Sequence, residues 1–126
     1  MPKKILDAPS SPAPVGPYSV ATEAHGLVYI SGQGAIEPAT GKLVEGGIEA
    51  EAEQVMTNIG AILGDLDLTY ADIVKTTIFL VDMDDFPKVN AVYGKYVADA
   101  KPARSTVGVA ALPLGIQVEI EVIAAR

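Results

Sequence analysis

The sequence predicts an α+β fold in which a single mixed β-sheet carries two helices on one of its faces. The length of 126 residues is typical of one domain, so residues 1–126 are expected to fold as a unit. Strand-like runs and two segments of helical periodicity follow one another in the order ββαβαββ. The last of these segments alternates apolar and polar residues, which is typical of a strand with one buried face.

The chain begins with an arm and a β-hairpin. Four prolines within residues 8–17 disfavour a helix and predict an extended arm. Two strand-like runs, 18–23 and 27–31, flank Ala24-His25-Gly26, whose glycine can adopt the positive φ of a tight turn. His25 is therefore expected at an exposed turn. The run 3–6 is compatible with a further short strand.

A glycine-rich loop and an amphipathic helix come next. Residues 32–47 lack two common phosphate-binding patterns, because Glu37 replaces the third glycine of a dinucleotide fingerprint and Leu43 replaces the Ser or Thr of a P-loop. The loop is therefore expected to be a flexible surface connection. Residues 48–63 place apolar side chains at helical spacing and acidic residues near the first turn, where the helix dipole favours negative charge. Gly60 is expected to allow close packing of this helix on the sheet.

A buried strand and a second helix follow. The nearly continuous apolar run 73–81 predicts an inner strand covered on both faces. Asp84 or Asp85 is expected to cap a helix that tolerates Pro87 in its first turn. The buried stripe of this helix is predicted to consist of Phe86, Val89, Val92 or Tyr93, and Tyr96.

The last two strands are predicted at 105–110 and 116–124. In the second of them the apolar residues point to one face, while Glu119 and Glu121 point to the other. Because the helices are expected on the apolar face, the two glutamates should face water or a partner subunit. A chain of this size has little room for a deep internal pocket, so a site between subunits of an oligomer is expected.

The composition excludes several classes of function. The net charge is −7, with 16 acidic and 9 basic residues, which disfavours nucleic acids and anionic membranes as partners. The absence of cysteine excludes disulfides, thiolate catalysis and cysteine-ligated metals, and the single histidine excludes paired-histidine metal sites. No metal site is therefore predicted. The sequence shows neither a secretory signal pattern nor an apolar stretch of ~20 residues, so a cytoplasmic location is expected.

Several short motifs occur in an order that covers essentially the whole chain. They are Gly16-Pro17-Tyr18-Ser19, Ile30-Ser31-Gly32-Gln33, Ile73-Val74-Lys75-Thr76-Thr77 with Asp85-Phe86 and Val89-Asn90 behind it, Pro102-Ala103-Arg104-Ser105-Thr106-Val107, and Val118-Glu119-Ile120-Glu121-Val122-Ile123-Ala124. With this ordered set the chain resembles the RidA branch of the YjgF/Rid family, the reactive intermediate deaminases. Each motif alone is weak evidence, whereas the ordered set is specific.

The resemblance implies both an assembly and an activity. The family fold is chorismate-mutase-like, and its homotrimer forms a central barrel with ligand clefts between subunits. The family activity is hydrolysis of reactive 2-imino or enamine acids (2-aminoacrylate, 2-iminopropanoate, 2-iminobutanoate) to 2-oxo acids and ammonia. Pyridoxal-phosphate enzymes release these substrates, so the implied role is control of metabolite damage. The deaminase itself uses no cofactor, and none is expected here.

The resemblance assigns catalytic roles to Arg104 and Glu119. An arginine can hold the substrate carboxylate with two parallel hydrogen bonds. A carboxylate can position the attacking water, and its negative charge favours the more electrophilic iminium. The residues that the resemblance assigns to substrate binding are Tyr18, Ser31, Gly32, Asn90 and Thr106.

Without the resemblance, the roles of these residues stay open. From the residues alone, a salt bridge of Arg104 with Glu119 or Glu121 is favoured over substrate binding, and periodicity does not distinguish the two glutamates. Thr106 stands where many relatives have cysteine, so this chain has no thiol at that position.

Two other functions stay open as well. A non-catalytic trimer that binds small 2-oxo carboxylates would need the same arginine but no catalytic water. A ribonuclease or translation inhibitor, the label of some relatives, fits poorly with the net charge of −7 and the single histidine. The preferred side chain of the imine and the enzyme that supplies it are not predicted, nor is the subunit that donates each cleft residue.

Overall fold

The computed structural model describes residues 2–126, which form one six-stranded sheet and two α-helices. The strands are β1 (Lys4–Leu6), β2 (Ala21–Ala24), β3 (Leu27–Gln33), β4 (Ile73–Leu80), β5 (Ala103–Gly108) and β6 (Val118–Ala125), and the helices are α1 (Ile48–Asp65) and α2 (Phe86–Val97). The strand order in the sheet is β1-β2-β3-β6-β4-β5, with β4 and β5 parallel and every other neighbouring pair antiparallel. The predicted α+β class is confirmed.

The hydrophobic core lies between the two helices and one face of the sheet. Every second residue of β6 is buried there, which confirms the alternation read from the sequence. The apolar stripe of α1 covers this face, and α2 packs beside α1. The buried residues of the two helices and β6 include Ala52, Val55, Ile59, Ile62, Val89, Val92, Val118, Ile120 and Val122.

The hairpin between β2 and β3 is confirmed. Ala24 pairs with Leu27, and the two residues between them, His25 and Gly26, have φ angles of 54° and 78°. Positive φ at both positions is typical of the type I′ turn, which matches the twist of the flanking strands. The predicted start of the first strand at residue 18 is wrong. The amide of Tyr18 donates to the Gly16 carbonyl at 2.8 Å, so the arm is still turning there.

Two further strands differ from their predictions. Within β4, Ile78 and Leu80 are buried, but Phe79 on the other face is only partly buried. The prediction that β4 is covered on both faces is therefore wrong for a single chain, because both helices pack on the same side of the sheet. Strand β5 begins at Ala103 rather than at residue 105, because its parallel pairing with β4 starts there.

The connections around α1 are held by specific contacts. Gly60 lies against the Tyr70 hydroxyl, which donates to the Met56 carbonyl at 2.6 Å, so this glycine accommodates a tyrosine rather than the sheet. Within the loop 34–47, residues Ile36 and Leu43 form an isolated bridge, so part of the predicted flexible loop is paired.

Neither described helix combines the length and apolarity needed to cross a membrane.

Candidate active site

The candidate residues lie on two opposite faces of the sheet. Arg104 pairs with Thr76 of β4, which is buried beneath the helices. Paired residues of neighbouring strands share a face, so Arg104 points to the helix side. Glu119 pairs with Phe79 and points to the side that α1 and α2 leave uncovered. A single chain therefore separates the two residues predicted to be catalytic.

The helix-side group is centred on Arg104, in the edge strand β5. Its Nη1 donates a hydrogen bond of 2.7 Å to Oδ1 of Asn90 on α2. Its guanidinium carbon lies 5.2 Å from the ring centroid of Phe86 and 5.2 Å from that of Tyr93. Cation–π attraction operates at such distances. Three side chains of α2 thus orient the guanidinium group.

Arg104 has no acidic partner within the described residues 2–126. The ion pairs found there involve Lys95 and Arg126 instead. Because Glu119 and Glu121 project from the opposite face, the alternative of a salt bridge between Arg104 and either glutamate is wrong within one chain. A guanidinium group that is held in place and has no carboxylate partner can bind the carboxylate of a ligand.

Thr106 adds an unpaired hydroxyl to the helix-side group. It follows Arg104 by two residues on the same strand, so both side chains share a face. The Oγ1 of Thr106 is buried and has no hydrogen-bond partner within residues 2–126. Buried polar atoms of folded proteins are nearly always paired. This hydroxyl is therefore one of the rare buried polar atoms that lack a partner, and it lies on the strand face that carries Arg104.

The second group surrounds Glu119, the second residue of β6. Partial burial raises the pKa of the Glu119 carboxyl, and the negative charge of Glu121 raises it further. Both effects disfavour the ionised form. A carboxyl group whose pKa moves toward neutrality is better suited to accept and then release a proton during a reaction.

Gly32 of β3 makes room for the Glu119 carboxylate. A Cβ atom at position 32 would overlap Oε1 of Glu119 and would lie 2.8 Å from its Cδ. Tyr18, on the arm, lines the same cavity as Gly32 and Glu119 and is 51% exposed. A side chain at position 32 would therefore displace the Glu119 carboxylate, and an aromatic side chain lies at the same cavity.

Ser31 differs from the other candidates because its hydroxyl already has a partner. Its Oγ donates to the Ser19 carbonyl at 2.6 Å, and its amide donates to the Val20 carbonyl at 2.9 Å. Ser31 therefore anchors the arm that carries Tyr18, and only the lone pairs of its oxygen remain for a ligand.

Sequence reasoning missed the aromatic neighbours of Arg104. It placed Phe86, and either Val92 or Tyr93, in the buried stripe of α2, but helical periodicity does not show which strand residue a helix meets. Only the register between β4 and β5 brings Arg104 to these rings. Within residues 2–126, no group of three or more His, Asp or Glu side chains is placed to hold a metal ion.

Known proteins match this chain along nearly its whole length. The model of the family described as Endoribonuclease L-PSP matches residues 8–126. The RutC family protein slr0709 of Synechocystis sp. is 47% identical over 126 residues, which cover 98% of this chain and 97% of that protein. The 2-iminobutanoate/2-iminopropanoate deaminase of Mus musculus is 44% identical over 124 residues, which cover 98% and 92%. The crystal structure of the yeast protein YEO7 superimposes with a TM-score of 0.95 at 43% identity, covering 99% of each chain.

Proposed function

Because the chain belongs to the RidA/YjgF family, we propose that it is a hydrolytic deaminase of reactive 2-imino acids. Its substrates are 2-iminobutanoate, 2-iminopropanoate and the enamine 2-aminoacrylate, and its products are 2-oxo acids and ammonia. The observation that carries this proposal is Arg104, which α2 orients and which has no acidic partner within residues 2–126. A small carboxylate is the ligand that suits such an arginine. The mouse relative, whose name states this activity, supports the same class.

Two copies of the chain complete one site in this proposal. One chain holds Arg104 and Glu119 on opposite faces of its sheet, so a cleft that contains both residues needs a second copy. In this proposal Arg104 of one copy and Glu119 of the next face that cleft. Apolar side chains on the uncovered face support such an assembly, since Tyr29 and Val107 are 43% and 40% exposed. Association of copies removes this apolar surface from water. The assembly we propose is a homotrimer with a central barrel.

Each group of the cleft has a defined part in the hydrolysis. Arg104 binds the substrate carboxylate and sets the orientation of C2. The enamine 2-aminoacrylate first gains a proton at C3 and loses one from nitrogen, which gives 2-iminopropanoate. Glu119 positions a water molecule, which attacks C2 of the imine while the π electrons of the C=N bond move onto nitrogen. Glu119 carries one proton from the water to nitrogen as the C–O bond forms. It then carries the proton of the new hydroxyl group to nitrogen, and the electrons of that O–H bond form the C=O bond as the C–N bond breaks. Ammonia then leaves, and the 2-oxo acid remains.

The remaining candidates assist these two residues. Asn90 orients Arg104 through its hydrogen bond of 2.7 Å. Thr106, two residues beyond Arg104 on the same face of β5, is assigned to substrate binding by the family motif that it shares with Arg104. Gly32 allows the Glu119 carboxylate to approach the strand. Tyr18 excludes water from the cleft or donates a hydrogen bond to the substrate.

A coupled assay tests the proposal. Threonine dehydratase generates 2-iminobutanoate, and semicarbazide traps the imine that survives. The wild-type protein should lower the trapped amount, whereas Arg104→Lys and Glu119→Gln should not. Arg104→Lys keeps the positive charge but loses two-point binding. Glu121→Gln is the matched control, because it removes a neighbouring carboxylate from the same face and should retain most activity.

Two outcomes would contradict the deaminase proposal. The protein could leave the trapped imine unchanged and still bind 2-oxobutanoate, which would make it a carboxylate-binding module. It could instead cleave RNA, as the description of the family model states for that family. The net charge of −7 argues against RNA as a substrate. Salt-sensitive cleavage of a labelled RNA that is lost in Arg104→Ala would favour the ribonuclease.

A further inference from the structure

A buried hydrogen bond joins strand β4 to one of the aromatic rings beside Arg104. The Oγ1 atom of Thr76 on β4 lies 2.7 Å from the phenolic oxygen of Tyr93 on α2. Thr76 is 1% exposed and Tyr93 is 5% exposed, so the bond lies inside the core. Each hydroxyl group is thus paired in a region from which water is largely excluded.

Thr76 is connected to Arg104 by two independent routes. Through the backbone, Thr76 and Arg104 are paired residues of the parallel strands β4 and β5. Through its side chain, Thr76 bonds Tyr93, whose ring centroid lies 5.2 Å from the guanidinium carbon of Arg104. The same threonine therefore contacts both the strand that carries the arginine and the ring that faces it.

The Tyr93 ring lies between the core and a cavity that opens to water. Tyr93 and Arg104 both line this cavity, which has a volume of ≈ 530 Å³ between α2 and β5. A buried hydroxyl group that loses its partner carries the full cost of its lost hydration. Without the bond to Thr76, the phenol would regain water by tilting into the cavity, and its ring would leave the guanidinium group.

We propose that the buried Thr76–Tyr93 pair positions Arg104 and thereby sets the affinity of the protein for its carboxylate ligand. The inference rests on the proposed function, because it takes Arg104 as the group that binds the substrate carboxylate. Thr76 acts through Tyr93, and Tyr93 acts through Arg104, so both are positioning residues. A guanidinium group that is already oriented loses less freedom when it binds, which increases affinity.

Thr76→Val tests the proposal, because it removes the hydroxyl group and keeps a branched side chain. The Tyr93 hydroxyl then has no partner in the core, and the ring should turn away from Arg104. We expect KM for 2-iminobutanoate to rise about threefold with kcat nearly unchanged, as for the loss of an exposed cation–π contact. Isothermal titration calorimetry should show the same threefold rise in the Kd of 2-oxobutanoate. Unchanged KM and Kd in the folded variant would overturn the inference.

A double variant separates positioning from stability. In Thr76→Val combined with Tyr93→Phe, both hydroxyl groups are absent, so neither is left unpaired and the ring keeps its place. This protein should bind 2-oxobutanoate more tightly than Thr76→Val alone. Equally weak binding by the single and double variants would contradict the proposal. Tyr70→Phe is the matched control, because it removes a hydrogen bond of 2.6 Å to the Met56 carbonyl on α1; it should lower Tm and leave KM unchanged.

Nuclear magnetic resonance reports the position of the guanidinium group without turnover. The chain has two arginines, Arg104 and Arg126, so the Nε–Hε region of a ¹⁵N-labelled sample contains two resonances. The ring current of Tyr93 acts on the nearby Arg104 proton. Its resonance should therefore shift in Thr76→Val and return toward the wild-type position in the double variant. The resonance of Arg126, which pairs with Glu23, should not move. An Arg104 resonance that Thr76→Val leaves in place would refute the positioning role.

Tyr93→Leu provides a second variant in case Thr76→Val does not fold. It removes the ring and keeps an apolar side chain, so KM should rise about fivefold; a wild-type KM would overturn the inference.

The outcomes distinguish this inference from the deaminase proposal. Hydrolysis of 2-iminobutanoate with an unaltered KM in the folded variants would overturn the positioning role and leave the deaminase proposal intact. Weaker binding of 2-oxobutanoate by Thr76→Val, together with a wild-type protein that does not hydrolyse the imine, would refute the deaminase proposal and support the positioning role.

Discussion

Replacing Gly32 by alanine tests whether the position of the Glu119 carboxylate matters for catalysis. The added Cβ would overlap Oε1 of Glu119 and would lie 2.8 Å from Cδ and 3.1 Å from Cγ. Carbon atoms pack at about 3.5–4.0 Å, so the carboxylate must move by about 1 Å. A reacting group displaced by ~1 Å can lose about 100-fold in rate. We therefore expect kcat/KM to fall about 100-fold, equivalent to ~2.7 kcal/mol of transition-state stabilisation.

The fold itself should tolerate this change. Glu119 is a flexible side chain on the face that the helices leave uncovered, so its displacement costs little stability. The trapped-imine assay measures activity, and thermal unfolding followed by circular dichroism checks the fold. Gly64→Ala in α1 is the matched control, because a Cβ there meets nothing within 4 Å. It should keep full activity and gain about 0.5–1 kcal/mol. Full activity in folded Gly32→Ala would refute the role of Glu119.

Other predictions concern the neighbours of the catalytic pair. Asn90→Ala removes the hydrogen bond of 2.7 Å that orients Arg104. Because this pair is exposed, steady-state kinetics should show KM raised about fivefold, or ~1 kcal/mol, with kcat nearly unchanged; an unaltered KM would contradict the positioning role. As pH falls, kcat/KM should decline when Glu119 is protonated, and the decline should begin above the range of an ordinary glutamate because the pKa of Glu119 is raised. In Glu121→Gln the pKa of Glu119 is lowered, so the acid limb of the pH–rate profile should move to lower pH; an unmoved limb would show that the two charges do not interact. Asn58→Leu leaves two loop carbonyls without their donor and should lower the free energy of unfolding by about 2–3 kcal/mol in urea denaturation. No loss of stability would show that the loop is held by other contacts.

The sequence predicted most of the fold because burial patterns are local. The alternation in β6 and the helical spacing in α1 both report which face of an element is buried, and both were confirmed. The extent of β5 was not predicted correctly, because pairing with β4 rather than local composition decides where that strand begins. The uncovered face of β4 was missed for a related reason, since a run of apolar residues does not show whether helices or other subunits cover it.

The site was predictable only in part. The family motifs identified Arg104 and Glu119 as candidates. The placement of these two residues on opposite faces depends on the register of three strands, which no local pattern encodes. The contacts of Arg104 with Phe86 and Tyr93 depend on the same register. The cavity beside Glu119 combines segments that are far apart in the chain, so its lining could not be read from the sequence.

The central claim is that Arg104 of one copy and Glu119 of the next form one active site, and subunit mixing tests it most directly. Chains carrying Arg104→Ala and chains carrying Glu119→Gln are co-produced with different tags, and each variant alone should be inactive. In a random equimolar mixture of trimers, about three quarters contain both chains, and each of these has one native cleft in three. The mixture should therefore recover about a quarter of wild-type deaminase activity. Mixed trimers, purified through both tags, that remain inactive would contradict the claim.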